Sequence, residues 1–135
     1  MRFRDWLLVL NARAIPYKTV SLSGREQIYV PPLLEGIALW GELKPLLTQE
    51  ALVERALAYC DWAVAKGLLA IRSHVDVCDP RLLAVEALLE VKRRVAPYLD
   101  LQLVAFPQDG VLRDPQGVEK LKRALAMGVD VVGGI

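Results

Sequence analysis

The sequence is poor in the residue types on which metal and disulfide sites depend. Its 135 residues contain one histidine, His74, and two cysteines, Cys60 and Cys78. The cysteine spacing fits neither a zinc motif nor a disulfide-dense secreted domain. One histidine cannot place two imidazole ligands on a metal ion. The composition therefore predicts a chain without a metal site of its own, with reduced thiols and a cytoplasmic location.

The sequence also lacks a strong net charge and a long hydrophobic run. The formal net charge is +1, which provides no field to attract nucleic acid or an acidic membrane. No apolar run reaches the roughly 18 residues that a transmembrane helix requires. Hydrophobic residues make up 54% and charged residues 24%, which are values typical of a folded globular domain. We expect one folded domain that binds neither nucleic acid nor a membrane.

The central stretch, residues 68–110, predicts a strand, a helix and a second strand. An apolar run over 68–77 is followed by Asp79-Pro80, an N-cap and a proline for the first helical position. Pro97 ends the helix, and the run over 101–106 predicts the next strand. A helix between two apolar strands is a βαβ unit, which makes the sheet parallel. Functional groups are then expected at the carboxyl ends of these strands.

Capping signals predict the neighbouring elements. Thr48 and Gly67 bound a helix over 49–66, and Asp114-Pro115 begins a helix that Gly128 closes. The further predicted elements are strands over 6–10, 27–30 and 129–132 and a helix over 33–44 that Pro45 ends. The predicted fold class is thus α/β with parallel βαβ units.

Four segments resemble the cytosine deaminase branch of the amidohydrolase superfamily. They are L-L-E-G-I-A-L-W-G-E-L-K-P-L-L-T at 33–48, R-S-H-V-D-V at 72–77, the run L-E-V-K-R-R-V-A-P-Y-L-D-L-Q-L-V-A-F-P-Q-D-G at 89–110, and G-V-D-V-V-G-G-I at 128–135. The A-F-P-Q-[DE]-G motif after a strand is the most specific of these. The resemblance implies an interior part of a (β/α)8 TIM-type barrel over residues 33–135, as a truncated chain. Residues 1–32 are interpreted as a remnant of the small β-sandwich and of the first barrel strand.

The resemblance also implies a divalent metal, iron or zinc, held partly by a His-x-His-Leu-Asp pattern on the first barrel strand. The corresponding position holds residues 14–18, A-I-P-Y-K, which cannot ligate such an ion. Deamination of a ring requires a metal-activated hydroxide and an acid that shuttles protons. We therefore predict no catalytic residue, no metal ligand and no cofactor in this chain, and no activity by the chain alone.

Three residues are the predicted substrate-binding residues. By the resemblance, Gln108 in F-P-Q recognises a pyrimidine base, and its amide complements the ring edge of such a base. His74, at the end of the first central strand, lies near the site in the family without ligating the metal. Phe106 walls an apolar pocket, together with Pro107. The alternatives are a loop glutamine that faces water, a histidine satisfied by local hydrogen bonds, and ordinary packing.

Other polar residues are interpreted structurally. Asp76 is expected to bind backbone or Arg72 at its strand end, and Asp109-Gly110 to form a turn. Ser73 and His74 alternate across a strand, which excludes a Ser–His–Asp arrangement. The basic residues are interpreted as solvated helix faces: Lys92, Arg93, Arg94, Lys120, Lys122 and Arg123.

Two functional hypotheses remain open. The first is a piece of a metal-dependent amidohydrolase that acts on C–N bonds of a pyrimidine or related ring, with the rest of the site supplied by another chain or lost. The second is a non-catalytic α/β domain that acts through self-association or partner binding, because open sheet edges and apolar surface favour association.

Overall fold

The computed structural model describes residues 18–22, 25–29 and 44–134. Within these residues two sheets are present, a two-stranded and a three-stranded one. The elements in chain order are β1 (Lys18–Leu22), β2 (Arg25–Tyr29), a 3-10 turn (Lys44–Leu46), α1 (Gln49–Ala65), β3 (Ala70–Asp76), α2 (Leu83–Val95), β4 (Asp100–Phe106), α3 (Gly117–Met127) and β5 (Val131–Val132). No helix in these ranges is long and apolar enough to cross a membrane.

β1 and β2 form an antiparallel pair in which Lys18 lies opposite Tyr29. The strand predicted over 27–30 thus begins two residues earlier than expected, while β1 was not predicted. The strand predicted over 6–10 and most of the helix predicted over 33–44 lie outside the described residues. The interpretation of residues 1–32 as a sandwich remnant stays a prediction.

The three-stranded sheet has the order β3-β4-β5, and both pairs of strands are parallel. Ala70 lies opposite Asp100 at one end of β3 and Asp76 opposite Phe106 at the other. The chain returns between successive parallel strands through α2 and α3. The predicted α/β fold class with parallel βαβ units is confirmed.

α1 follows its capping signals closely. The Thr48 hydroxyl accepts a hydrogen bond from the backbone N–H of Ala51 at 3.3 Å, as an N-cap does. The helix ends at Ala65, and Gly67 takes a φ of +88°, a left-handed conformation that glycine adopts without steric cost. The sequence therefore predicted both ends of this helix to within one residue.

The start of α2 was predicted too early. Asp79 does not cap the helix, since its carboxylate accepts a hydrogen bond from Arg81 N and its carbonyl one from Leu82 N. These bonds form a turn, and α2 begins only at Leu83. Leu82 sits at a φ of +51° with its side chain fully buried. Burial of that side chain offsets a conformation that leucine rarely adopts.

The start of α3 was also predicted too early, and for the same reason. The Asp114 carboxylate accepts a hydrogen bond from Gln116 N, and its carbonyl accepts one from Gly117 N. This turn delays the helix to Gly117, where a side chain would lie 2.5 Å from the carbonyl oxygen of Val111. A residue without Cβ is required at this close approach.

The hydrophobic core lies between one face of the sheet and the helices. Alternate residues of β4, namely Leu101, Leu103 and Ala105, belong to the same buried cluster as Val85 and Val91 of α2. The intervening β4 residues face the other way, as the two-residue period of a strand requires. On that opposite face the Arg72 guanidinium donates to the Gln102 side-chain oxygen at 2.5 Å.

Asp130 fixes the position of the short strand β5 against β4. Its carboxylate accepts a hydrogen bond from the backbone N–H of Leu103 at 2.7 Å and pairs with Lys92 at 2.5 Å. Its own backbone N–H donates to the carbonyl of Leu103. The hydrogen bond from Leu103, with that from Lys92, holds the pKa of the Asp130 carboxyl below its ordinary value.

This lowered pKa predicts a pH-dependent contribution to stability. The contribution of Asp130 to the free energy of unfolding is fully present at pH values above the ordinary carboxyl pKa. It is lost as the pH falls through the lower pKa of the folded state. We expect Asp130→Asn to reduce the free energy of unfolding at pH 7 by about 1 kcal/mol, a value discounted for solvent screening. The difference from the parent should shrink toward pH 3 in urea titrations, whereas Asp100→Asn, at an exposed strand end, should show little effect. A difference that stays constant from pH 3 to pH 7 would contradict this role.

Candidate ligand-binding site

The carboxyl end of the three-stranded sheet brings His74 and Phe106 into contact. Their ring centroids lie 5.3 Å apart with the planes at 86°, an edge-to-face arrangement. Both side chains lie on the sheet face opposite the helices, His74 exposed and Phe106 buried. The two rings therefore lie together on this face of the sheet, where the strands end.

Gln108 follows Phe106 by two residues at the same end of the sheet. Its backbone N–H donates to the Phe106 carbonyl at 3.0 Å, and Gly110 N donates to the Pro107 carbonyl at 2.9 Å. Gly110, at a φ of +88°, completes the turn that the sequence predicted for Asp109-Gly110. Gln108 is only 6% exposed, which disfavours the alternative of a loop glutamine that faces water.

Gly133 lies against the same wall from the end of the chain beyond β5. A Cβ at this position would lie 2.7 Å from Cγ1 of Val104 and 3.1 Å from the Phe106 ring. The backbone N–H of Gly133 donates to the Ala105 carbonyl at 2.8 Å. The absence of a side chain at residue 133 thus permits the close packing that supports Phe106.

Asp76 is a buried carboxylate at the end of β3. Its Oδ1 accepts a hydrogen bond from Cys78 N at 2.7 Å, and its Oδ2 lies 2.9 Å from the Lys44 ammonium. The predicted bond to backbone is confirmed, whereas Arg72 was the wrong cation, because that guanidinium bonds Gln102 instead.

Lys44 connects two carboxylates that follow neighbouring strands. Its Nζ lies 2.9 Å from Asp76 and 3.6 Å from Asp109. Burial lowers the pKa of the Lys44 ammonium, but the hydrogen bond and charge of Asp76, with the charge of Asp109, outweigh burial and raise the pKa above its ordinary value. Lys44 is therefore a fixed positive charge at this end of the sheet.

Lys120 is a second cation at this end of the sheet, and it is buried. Its Nζ donates to the Cys78 carbonyl at 3.0 Å and to the Asp114 carboxylate at 2.6 Å. The prediction that Lys120 belongs to a solvated helix face is wrong, although Lys122 and Arg123 of the same helix are exposed. The hydrogen bond from Lys120 holds the pKa of the Asp114 carboxyl below its ordinary value.

Cys78 is held between these groups and is unsuited to act as a nucleophile. Its Sγ accepts a hydrogen bond from Asp109 N at 3.3 Å. Burial, with the charges of Asp76 and Asp109, raises the pKa of the Cys78 thiol to about 12. A thiol with such a pKa stays protonated at neutral pH, and the thiolate is the reactive form.

Ser73 lies on the opposite face of β3 from His74. It is 4% exposed and borders a small cavity with Tyr59 and Cys60, and its hydroxyl has no hydrogen-bond partner within the described residues. The structure therefore agrees that Ser73 and His74 cannot act together as nucleophile and base.

The described residues do not fit a divalent metal of the kind that the resemblance implies. No group of three or more histidine, cysteine, aspartate or glutamate side chains is arranged to hold an ion within residues 44–134. The two carboxylates nearest each other at the strand ends, Asp76 and Asp109, are already paired with Lys44. We therefore derive no chemical step through a metal.

Comparisons with known proteins match most of the chain to part of larger enzymes. The 5-methylcytosine deaminase of Klebsiella pneumoniae, solved with phosphonocytosine and with 5-fluorocytosine, is 47% identical with a TM-score of 0.73 over 76% of this chain and 25% of its own. The N-isopropylammelide isopropylaminohydrolase of Burkholderia multivorans is 33% identical with a TM-score of 0.67 over 73% of this chain and 25% of its own. The chain is homologous to part of a cytosine deaminase-like amidohydrolase.

A further relative agrees with this assignment. The N-isopropylammelide isopropyl amidohydrolase of Pseudomonas sp. (strain ADP) is 36% identical over 89 residues, which are 65% of this chain and 22% of the relative. No protein-family model matches the chain. The chain thus spans about a quarter of the length of the relatives that it matches. The βαβ units described above resemble a portion of the TIM-type barrel of these amidohydrolases.

Sequence reasoning missed Lys44 and Lys120 at this site. Both are surrounded by residues distant in the chain, and neither lies in a motif that the resemblance marks as functional. A lysine at a helix end normally indicates solvent exposure. Only the packing of separate elements reveals that Lys120 is buried and Lys44 partly buried among carboxylates and carbonyls.

Proposed function

We propose that this chain forms the base-recognising part of a cytosine deaminase-like site, whose ligand is a pyrimidine or a related cyclic C–N compound. The observation that supports the proposal is that Gln108 is buried two residues after Phe106, whose ring contacts His74, at the carboxyl end of the parallel sheet. The homologous Klebsiella enzyme is a deaminase solved with cytosine analogues, which supports this ligand class.

Gln108 is the proposed recognition group. A side-chain amide offers one acceptor and two donors in a plane, which complements the N3–C2=O or N1–H edge of a pyrimidine. Because Gln108 is buried at a turn closed by Gly110, its side chain is largely shielded from water. An amide shielded from water favours a ring that satisfies its hydrogen bonds and disfavours one that does not.

Phe106 and His74 are the proposed walls of the ligand pocket. The Phe106 ring supplies an apolar surface on which a planar heterocycle can stack. The exposed His74 imidazole, held edge-on to Phe106, can donate or accept one hydrogen bond at the rim.

We further propose that these 135 residues do not catalyse hydrolysis by themselves. The relatives are hydrolases of C–N bonds. Enzymes usually hydrolyse such bonds with a metal-activated hydroxide as the nucleophile. This chain has a single histidine and no described cluster suited to a metal. Its role would then be ligand binding within a larger cytoplasmic amidohydrolase site, and both of its cysteines are free, as a reducing compartment favours.

The second candidate function is association through apolar surface. Leu69 at the entry to β3 and Val132 in β5 are 70% and 53% exposed, and Leu112 is 93% exposed. Such side chains at sheet ends and loops favour self-association or partner binding. Sedimentation of the purified chain as a monomer over a wide concentration range would exclude self-association.

The binding proposal is tested with 5-fluorocytosine, whose fluorine signal reports binding by NMR. We expect saturable binding by the parent chain and about ten-fold or greater weakening in Gln108→Met, which keeps the side-chain volume but lacks the amide. Gln116→Ala, an exposed glutamine before α3, is the matched control and should bind like the parent. Incubation of the parent with cytosine should release no ammonia.

Far-ultraviolet circular dichroism and urea unfolding show whether Gln108→Met remains folded. Equal binding by the parent and Gln108→Met would contradict recognition by this amide. Absence of saturable binding by the parent would overturn the proposed ligand class for this chain, and ammonia release that a chelator stops would overturn its proposed inactivity.

A further inference from the structure

The segments that follow β3 and β4 are joined to each other at three points besides the strand ladder. We define the β3 loop as residues 76–82, which begins with the last residue of β3, and the β4 loop as residues 107–116. The ladder itself extends into these loops by one bond, from Val77 N to the Phe106 carbonyl at 3.1 Å. The β4 loop carries Gln108, so whatever fixes this loop also fixes the proposed recognition amide.

Lys44 forms the first connection. Its ammonium lies 2.9 Å from Asp76 at the end of β3 and 3.6 Å from Asp109 in the β4 loop. The Lys44 side chain is 17% exposed and that of Asp76 2% exposed. The pair with Asp76 is shielded from water and fixes the Lys44 ammonium at the end of β3. The longer contact with the exposed Asp109 then joins this fixed charge to the β4 loop.

Lys120 forms the second connection, from the other side. Its ammonium donates to the Cys78 carbonyl in the β3 loop and to the Asp114 carboxylate in the β4 loop. The Lys120 side chain is 10% exposed. Hydrogen bonds from a charged donor are stronger than neutral ones. Both acceptors of the Lys120 ammonium lie on loops, so this lysine joins the β3 loop to the β4 loop.

The third connection lies between the two lysines. The backbone N–H of Asp109, the residue after Gln108, donates to Cys78 Sγ at 3.3 Å. The same Cys78 provides its carbonyl to Lys120 and its N–H to Asp76. Cys78 therefore contacts groups that belong to both lysine connections. The reactivity of its thiol reports whether the β4 loop stays in place.

We propose that Lys44 and Lys120 are positioning residues that hold the β4 loop, and with it Gln108, in place before any ligand binds. The inference rests on the proposed role of Gln108 as the recognition group. Two lysines that each bridge the same pair of loops make the β4 loop a fixed platform, and not a lid that closes over the ligand. Preorganisation of this kind lowers the entropy lost when a ligand is bound.

The test measures alkylation of the two cysteines by N-ethylmaleimide, with each site quantified by mass spectrometry. In Lys44→Met and Lys120→Met we expect Cys78 to react about ten-fold faster than in the parent, because the loop opens locally. Cys60, buried between α1 and the sheet, should react at the parent rate and reports global unfolding. Lys122→Met, an exposed lysine of α3, should leave both rates unchanged.

Asp114→Asn provides a second variant in case Lys120→Met fails to fold, since it removes only the loop partner of Lys120. Lys44→Arg, which keeps a positive charge near Asp76 and Asp109, should restore slow Cys78 alkylation. The side-chain amide signal of Gln108 in a nitrogen–proton NMR spectrum should shift in Lys44→Met and return toward the parent position in Lys44→Arg. Cys60 alkylation at the parent rate in Lys44→Met would separate this local effect from a loss of overall stability.

Unchanged Cys78 alkylation in Lys44→Met and in Asp114→Asn would overturn the inference. So would equal acceleration of Cys60 and Cys78, because that result reports unfolding of the whole domain. The alkylation rates need no ligand, so a parent chain that fails to bind 5-fluorocytosine overturns the proposed function without bearing on the loop connections.

Discussion

Leu103→Ala is expected to lower the free energy of unfolding by about 3 kcal/mol, a large share of the stability of a small domain. Leu103 lies in the middle of β4, the central strand, and its side chain is 0% exposed. Truncation removes apolar contacts with the helices and leaves a cavity that a paired central strand cannot collapse to fill. Urea unfolding followed by circular dichroism measures the change.

The matched control for this substitution is Leu112→Ala. Leu112, in the loop after β4, is 93% exposed, so its truncation should change the free energy of unfolding by less than about 0.5 kcal/mol. Similar effects of the two substitutions would show that the sheet face described as core does not carry the stability of the domain.

Asp76→Ala is the second substitution with a large expected effect, about 3 kcal/mol of destabilisation. It removes the acceptor of Cys78 N and the nearer of the two carboxylates beside Lys44, a lysine that is largely buried. Thermal or urea unfolding at pH 7 measures the loss.

Asp109→Ala tests the same lysine from its exposed side. The Asp109 side chain is 45% exposed and its carboxylate lies 3.6 Å from Lys44, so solvent screens the pair and its loss should cost less than about 1 kcal/mol. If Asp109→Ala destabilised the domain as much as Asp76→Ala, burial would not be the source of the effect at Asp76.

Agreement between sequence and structure is best where the signal is local. Thr48 and Gly67 marked the ends of α1 because capping depends on residues within one turn of the helix. The apolar runs marked β3 and β4, and the helix between them required the strands to be parallel. The A-F-P-Q-D-G motif directed attention to Gln108, which is buried and bonded through its backbone N–H to the Phe106 carbonyl, and its role in binding stays a prediction.

Disagreement arises where a local signal admits two outcomes. Asp79-Pro80 and Asp114-Pro115 each suit a helix start or a turn, and both form turns that delay the following helix. Burial of Leu82 and the approach of the Val111 carbonyl to Gly117 decide between these outcomes, and both are contacts of the packed structure. β5 is shorter than predicted, since Asp130 pairs through its carboxylate before the strand ladder begins.

The sequence by itself determined the α/β class, the parallel order of the central strands, the homology to part of a cytosine deaminase-like amidohydrolase and the scarcity of metal-ligating histidine. Periodicity, caps and motifs are properties of short segments, so they can be recognised without coordinates. Only the tertiary structure showed that Asp76 pairs with Lys44 instead of Arg72 and that Lys120 is buried between two loops. Those facts depend on which distant segments meet at the carboxyl end of the sheet, because a charge is stabilised or screened by its surroundings and not by its neighbours in the chain.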